Sequence, residues 1–504
     1  MSTLRFALPL VAACSASTHP PRPEPAPAAN PSSTYVTVRD GTRIAVDVWL
    51  PAGAGPWPTV LRMTRYWRGT AYVDPAARAE DRDEQLDAAL IGAGFAVVSV
   101  DARGTGASFG AWTAPWSVGE RADEREVADW ITHQPWASGA IATYGISYDA
   151  NTALWMGATG APAIRAVAPA FPDLDPYTSI AFPGGVANTS FLGAWDAMNH
   201  ALDANAACAL AAMLGQDCAA YTARVAGPRP VDPAALPAAL AAHAGNIDLA
   251  RAFATATCRD DALGPGLPSL DDLAPLTAAG AFAAARVPQL VRVGWLDANT
   301  VAGALAAYQL VDTPQRLVIG ATSHGGLTLA DPFRDPTQPA EPAIGDQLTE
   351  TFTFLGAPLA GAPATKEIRY QTLGEGTWRT TASWPPAGTT ERTLYAAADG
   401  ALAAAAPTVA TAADTRPIDA TATTGTRNRW LTPLDGGPIV YPDRAAADAT
   451  LLTYTSAPVD ADLRITGDPR VALYVSTTAP AALFVYLEEC LDRHQPPPTK
   501  TAPR

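Results

Sequence analysis

From residue 34 apolar and polar side chains alternate through TYVTVRDGTRIAVDVWLP, with Asp40 and Gly41 between the two halves. Two alternating runs around an Asp-Gly pair predict an antiparallel hairpin, since such a pair accepts the left-handed backbone of a tight turn. The pattern then changes. PTVLRMTRY (58–66), FAVVSVDARG (95–104), GAIATYGIS (139–147) and IRAVAPAFP (164–172) are short apolar runs ending in turn residues. Helical patterns intervene, the clearest in VGERADEREVADWITHQPW, where Val127, Trp130 and Ile131 share one face and Pro135 closes the segment. Apolar strands joined by helices predict a parallel sheet covered on both faces.

From about 174 to 285 the chain becomes Ala-rich, as in ALDANAACALAAMLGQ and PAALPAALAAHAGNIDLARAFATA, which predicts a helical insertion. Strand-like runs return in VPQLVRVGWLD (287–297) and QRLVIGATSHGG (315–326). Beyond about 345, RTLYAAADG, LLTYTSAPV and PRVALYVSTT are rich in Thr, Val, Tyr and turn residues, as in an all-β domain. The expected plan is an α/β core at 33–173 and 286–345, a helical cap at 174–285 and a β domain at 346–504, behind a leader at 1–32.

A chain of 504 residues exceeds what one core normally organises, in keeping with that division. At 48% hydrophobic and 16% charged residues it is globular in composition. No apolar run approaches the roughly 18 residues of a membrane span. The net charge of −15 and the lack of a basic stripe argue against a nucleic-acid partner. The N-terminus, MSTLRFALPLVAACSAS before a Pro-rich tract, reads as an export signal. Val11-Ala12-Ala13-Cys14 also resembles a bacterial lipobox, which would make Cys14 a lipid anchor on a Pro-rich spacer. The expected location is the bacterial cell envelope, the periplasm or the medium. Cys208, Cys218, Cys258 and Cys490 show no zinc-like spacing. Export would allow Cys208 and Cys218 to form a local disulfide, although sequence leaves the pairing open.

TYGISYDAN (143–151) breaks an apolar strand at Ser147, with Gly145 two residues before it and a helical pattern after it. That resembles the start of a nucleophile elbow, in which a sharp strand-to-helix turn exposes the serine hydroxyl, with an ordinary serine turn as the alternative. The match to G-x-S-x-G is partial, because Asp149 holds the last position. An elbow serine needs a base and an acid to orient that base, following in the order Ser, Asp or Glu, His. Of six histidines only His324 follows a sheet strand after the serine, in a loop with Gly325 and Gly326. Asp297 closes LVRVGWLD at a strand end, where open α/β sheets place their sites, and Asp173 just past IRAVAPAFP ranks second. The oxyanion of acyl transfer also needs donors. The Tyr148 N–H is one that the elbow places automatically. Tyr66 stands where a second would come from, but by residue type alone it reads as a packed aromatic. DARGTGASFG has the glycines of a dinucleotide loop, yet the next helix opens only near Glu120, too late to meet a pyrophosphate.

Together RDGTRIAVDVWLP, the RY after the second run, DARGTGASFG, YGISY, GWLD, SHGG and LTYTSAPVDADLRITGDPRVALYVS resemble, in order from about 35 to 487, the cocaine esterase type of serine hydrolase, related to X-prolyl dipeptidyl peptidases. The resemblance implies an α/β-hydrolase core with a helical cap and a C-terminal β jelly-roll. It implies Ser147 as nucleophile, His324 as base, Asp297 as orienting acid, and Tyr66 and the Tyr148 N–H as oxyanion donors. Two departures stand out. Ala150 replaces the final glycine of G-x-S-Y-x-G, and after Leu487 the pattern gives way to a polar, Pro-rich ending that makes the jelly-roll look truncated. The expected activity is hydrolysis of an ester, with amide acylase and X-Pro dipeptidyl-peptidase as alternatives on the same triad and no metal or organic cofactor implied. The expected partner is a small ester, amide or short peptide. The opposing classes are a tethered binding protein with impaired catalysis and a nucleotide-dependent oxidoreductase. Oligomeric state is not legible.

Overall fold

A computed structural model of the chain describes residues 30–490, apart from 363, 410, 411, 420, 424, 426 and 440–442. Cys14 and nearly all of the expected leader lie outside the described residues, as do His19 and His494. The described chain divides into two compact units, one running to Ala387 and resuming at Thr423–Asp443, the other made of Gly388–Ala422 and the residues from Arg444 onward.

The first unit is built on strands β1 (Ser32–Thr37), β2 (Arg43–Trp49), β3 (Trp57–Thr64), β4 (Thr70–Tyr72), β5 (Ala96–Asp101), β6 (Ala137–Ile146), β7 (Ile164–Ala170), β8 (Val225–Pro228), β9 (Gln289–Gly294), β10 (Gln315–Gly320), β11 (Glu367–Gln371) and β12 (Trp378–Thr381). Ten of them form one sheet in the order β1-β2-β5-β3-β6-β7-β9-β10-β11-β12, and β4 pairs with β8 separately. The hairpin expected around Asp40-Gly41 is β1-β2. From β5 to β11 every neighbouring pair is parallel, while β2 and β12 join antiparallel at the two sides. The apolar runs of the sequence become buried strands: Val97, Val98 and Val100 of β5 and Leu317, Val318 and Ile319 of β10 are closed off from solvent.

Helices α1 (Pro75–Ala79), α2 (Arg82–Gly92), α3 (Val118–Thr132) and α4 (Tyr148–Met156) cross between the early strands. The side chain of Ser117 caps α3 at the Glu120 N–H, and Val127 and Ile131 are buried while Trp130 is half-buried, as the periodicity predicts. The insertion folds as α5 (Thr189–Asp203), α6 (Ala207–Met213), α7 (Cys218–Thr222), α8 (Leu236–Ala242), α9 (Leu249–Thr255), α10 (Leu270–Leu273) and α11 (Ala279–Ala285). Cys208 and Cys218 are disulfide-bonded, and Cys258 and Cys490 are free and exposed. The core then resumes with α12 (Thr300–Leu310) and α13 (Ile344–Leu359).

The sheet does not stop at 345, where the sequence pattern suggests a change of domain. Ile368 and Tyr370 of β11 point into the core and bring β12 with them, so the first unit runs on past that position. The second unit contains β13 (Tyr395–Ala397), β14 (Ala401–Ala403) and β15 (Thr455–Ser456) as one small sheet. Among the described residues PRVALYVSTT forms no strand, and Val471, Leu473, Tyr474 and Val475 are exposed. Alternation supplies a face for burial, but a strand also needs a partner for its N–H and C=O groups. No helix of the described chain is long and apolar enough to cross a membrane.

Candidate active site

Five neighbouring strands, β3, β6, β7, β9 and β10, deliver five candidate residues to one edge of the sheet. Tyr66 follows β3, Ser147 follows β6, Asp173 follows β7, Asp297 follows β9 and His324 follows β10. The carboxyl ends of parallel strands collect side chains at one edge because every strand points the same way.

Ser147 sits between β6 and α4 with φ 62° and ψ −122°, a left-handed conformation that costs free energy in a non-glycine residue. Its own N–H donates to the Ala170 carbonyl at 2.9 Å, which ties the turn to the end of β7. The sharpness of the turn explains Gly145. A Cβ there would lie 2.0 Å from the Asp149 carbonyl oxygen, so no other residue fits. Ala150 is fully buried, and the helix accommodates its methyl group. Tyr148 opens α4, and the first N–H groups of a helix have no partner inside it.

His324 Nδ1 lies 2.9 Å from Asp297 Oδ1. Asp297 is completely buried, and its Oδ2 accepts from the Thr300 hydroxyl at 3.1 Å. The ring of Phe171, itself at φ 59°, meets His324 edge-on at 5.5 Å. Asp173 is the nearby rival. Its backbone N–H and C=O are both bonded to the Asn151 side chain of α4 at 2.7 Å. Its Oδ1 is shut off from solvent with no hydrogen-bond partner. Burial, and next the charge of Asp297, push the Asp173 carboxyl up to about 7, with His324 acting in the opposite direction.

The hydroxyl of Tyr148 donates to Glu120, whose two carboxylate oxygens each lie at 2.7 Å, and accepts from the Trp112 indole at 2.9 Å. The Trp116 indole donates to the Tyr148 carbonyl at 3.0 Å. Burial pushes the Glu120 carboxyl up to about 7 and the Tyr148 phenol well above its ordinary value. The Tyr66 ring meets Tyr148 edge-on at 5.8 Å, and its hydroxyl accepts from the Trp195 indole of α5 at 2.8 Å.

A further segment at this edge lies in sequence far from the core. Residues 427–439 reach the loops that carry Asp297 and His324. The Arg429 carbonyl accepts from the Ala298 N–H at 3.0 Å and its guanidinium donates to the Trp295 and Ala298 carbonyls. The Gly436 carbonyl accepts from Ser323 at 3.1 Å and Thr328 at 2.8 Å. Sequence reasoning assigned this segment to the β domain and missed it, along with Glu120 and Trp195, because only tertiary contacts reveal them.

Asp196, His200 and Asp248 of the cap present ligand-type atoms within 4.8 Å of one another. The Asp196 and Asp248 carboxylates accept from the Leu249 and Arg251 N–H groups, so both already hold the start of α9. That arrangement accounts for the cluster.

Residues 40–326 match the X-Pro dipeptidyl-peptidase (S15 family), and residues 360–494 match the X-Pro dipeptidyl-peptidase C-terminal non-catalytic domain. The chain is 36% identical over 496 residues to a Mycobacterium bovis protein named as a serine esterase, spanning 91% of this chain and 78% of the relative. It is 25% identical over 483 residues to cocaine esterase of Rhodococcus sp., spanning 89% and 78%. A crystal structure of a CocE/NonD family hydrolase from Staphylococcus aureus shares its fold with a TM-score of 0.52 at 18% identity, covering 74% of this chain and 60% of that one. An α-amino acid ester hydrolase does so with a TM-score of 0.51 at 20% identity, covering 79% and 67%.

Proposed function

The chain belongs to the X-Pro dipeptidyl-peptidase S15 family of hydrolases and is related to serine esterases, and from that premise we propose that it cleaves an ester by acyl transfer to Ser147. The observation that carries this reading is the 2.9 Å pairing of His324 with a fully buried Asp297 at the same strand-end edge of the sheet as an elbow serine. A buried carboxylate orients the imidazole through Nδ1 and favours the imidazolium that forms when the other nitrogen takes the serine proton.

Ser147 Oγ attacks the substrate carbonyl as its proton passes to His324, giving a tetrahedral intermediate. The Tyr148 N–H and the Tyr66 hydroxyl bind the oxyanion. His324 returns the proton to the leaving alcohol, the acyl group remains on Ser147, and water reverses the sequence to release the acid. The same machinery serves an amide, so amide acylase and X-Pro dipeptidyl-peptidase activities belong to the same proposal. Export and a lipid anchor at Cys14 are the sequence-based part of this reading.

The test is fluorophosphonate labelling of the purified protein, followed by mass spectrometry of the modified peptide. Label on Ser147, lost in Ser147→Ala, is expected. A folded protein that takes no label would favour a binding role and end this proposal.

A further inference from the structure

Tyr66 and its neighbour Arg65 are both held by one face of a cap helix. Trp195, Asn199 and Asp203 are spaced four residues apart on α5 and therefore share a side. Trp195 donates its indole N–H to the Tyr66 hydroxyl at 2.8 Å. Arg65 donates to the Asn199 side-chain carbonyl and to Asp203 at 2.9 and 3.1 Å. Arg65 is fully buried and lies 4.3 Å over the Trp112 ring, against which the Trp195 ring also packs edge-on at 6.1 Å. On its other side Trp195 stacks on Phe191 at 5.9 Å, so its indole has little freedom to turn.

The direction of the Trp195 bond is fixed by chemistry, because an indole N–H can only donate. The Tyr66 oxygen therefore spends a lone pair on Trp195 and keeps its single proton for another acceptor. Burial raises the Tyr66 phenol above its ordinary value, so that proton stays in place, while the charge of Arg65 and, after it, the Trp195 bond work against the rise.

We propose that Trp195 is a positioning residue which makes Tyr66 an oxyanion donor, so that the cap completes the catalytic machinery. The inference rests on the reading of Tyr66 as an oxyanion donor, and it assigns α5 a part in the rate as well as in covering the site. A core whose cap helix moved would keep Ser147, Asp297 and His324 and lose the aim of one hydrogen bond to the transition state.

A double-mutant cycle on hydrolysis of a p-nitrophenyl ester separates the two levels. Tyr66→Phe should lower kcat by about 100-fold or more, the usual cost of an oxyanion donor. Trp195→Phe should lower kcat roughly 10-fold with KM within about 2-fold, and should add almost nothing in the Tyr66→Phe background. Replacing Trp195 by 3-benzothienylalanine, which keeps the ring and lacks the N–H, should reproduce the loss if Trp195→Phe disturbs folding. An equal loss in both backgrounds would reduce Trp195 to packing and overturn the inference, as would full activity with the benzothienyl residue beside an impaired Tyr66→Phe enzyme. Full activity of Tyr66→Phe would instead remove the oxyanion reading itself.

Discussion

Asp173 places a second carboxyl beside the His324–Asp297 pair, and its proton decides the local charge. With its carboxyl pushed up to about 7, it is largely neutral in mild acid and becomes an anion beside Asp297 in mild alkali. The pH profile of kcat/KM should therefore carry an inflection near 7 that Asp173→Asn removes, with activity otherwise kept within about 10-fold. Asp297→Asn should behave differently. Loss of the carboxylate that orients His324 should cost roughly 1,000- to 10,000-fold in kcat at every pH, as measured for such triads. Steady-state kinetics of both variants between pH 5.5 and 8.5 would show which acid serves the base. An Asp173→Asn loss as deep as that of Asp297→Asn would reverse the assignment. The sequence ranked Asp297 first, and the structure pairs it with His324. A strand-end position was common to both, and the chain order Ser, Asp, His with His324 two strands beyond Ser147's neighbour favoured neither, but Asp173 also marked the exit into the insertion.

At the scale of single elements, the strand–turn–helix of 137–156 is where local sequence says most. Gly145, the left-handed Ser147 and the following helix form one device, and each is visible in nine letters of sequence. Gly145→Ala should collapse it. A Cβ at 2.0 Å from backbone cannot be relieved by a rotamer change, so the turn itself must shift, which should cost about 3 kcal/mol or more. Urea unfolding of the variant beside wild type would measure it, and near-equal midpoints would show that the elbow yields more easily than its geometry implies. The hairpin at Asp40-Gly41, the apolar strands and α3 were legible for the same reason, as short-range patterns with a period. Glu120, Trp195 and 427–439 were not legible. They act through bonds to residues between 28 and 134 positions away, and nothing in their own neighbourhood announces that.

The whole molecule stores protons in its interior. Asp87, Glu120 and Asp173 are pushed up to about 7 and Asp149 to about 8, in each case chiefly by burial. In the unfolded chain such carboxyls ionise near 4. Between about pH 4 and these folded values the native state therefore binds more protons than the unfolded one, and stability falls as pH rises through that window. The Tm should be lower at pH 8.5 than at pH 5.5, and Asp149→Asn should flatten the difference. A Tm that rises over the same interval would show that these groups are ionised in the native state. Sequence patterning outlines a core, a cap and a β-rich end, while by contact residues 367–381 and the described residues within 423–443 group with the first unit.

That interleaving of the chain bears on how the protein can be cut. The polypeptide leaves the first unit near Ala387, returns to it for Thr423–Asp443 and leaves again. A chain ending at 387 would retain Ser147, Asp297 and His324 and yet lose the carbonyls of Arg429 and Gly436 that bond to the loops bearing two of them. Part of the stretch that matches the family's C-terminal non-catalytic domain thus groups with the first unit, and a cut placed by sequence boundaries alone would remove hydrogen bonds to the loops that carry Asp297 and His324.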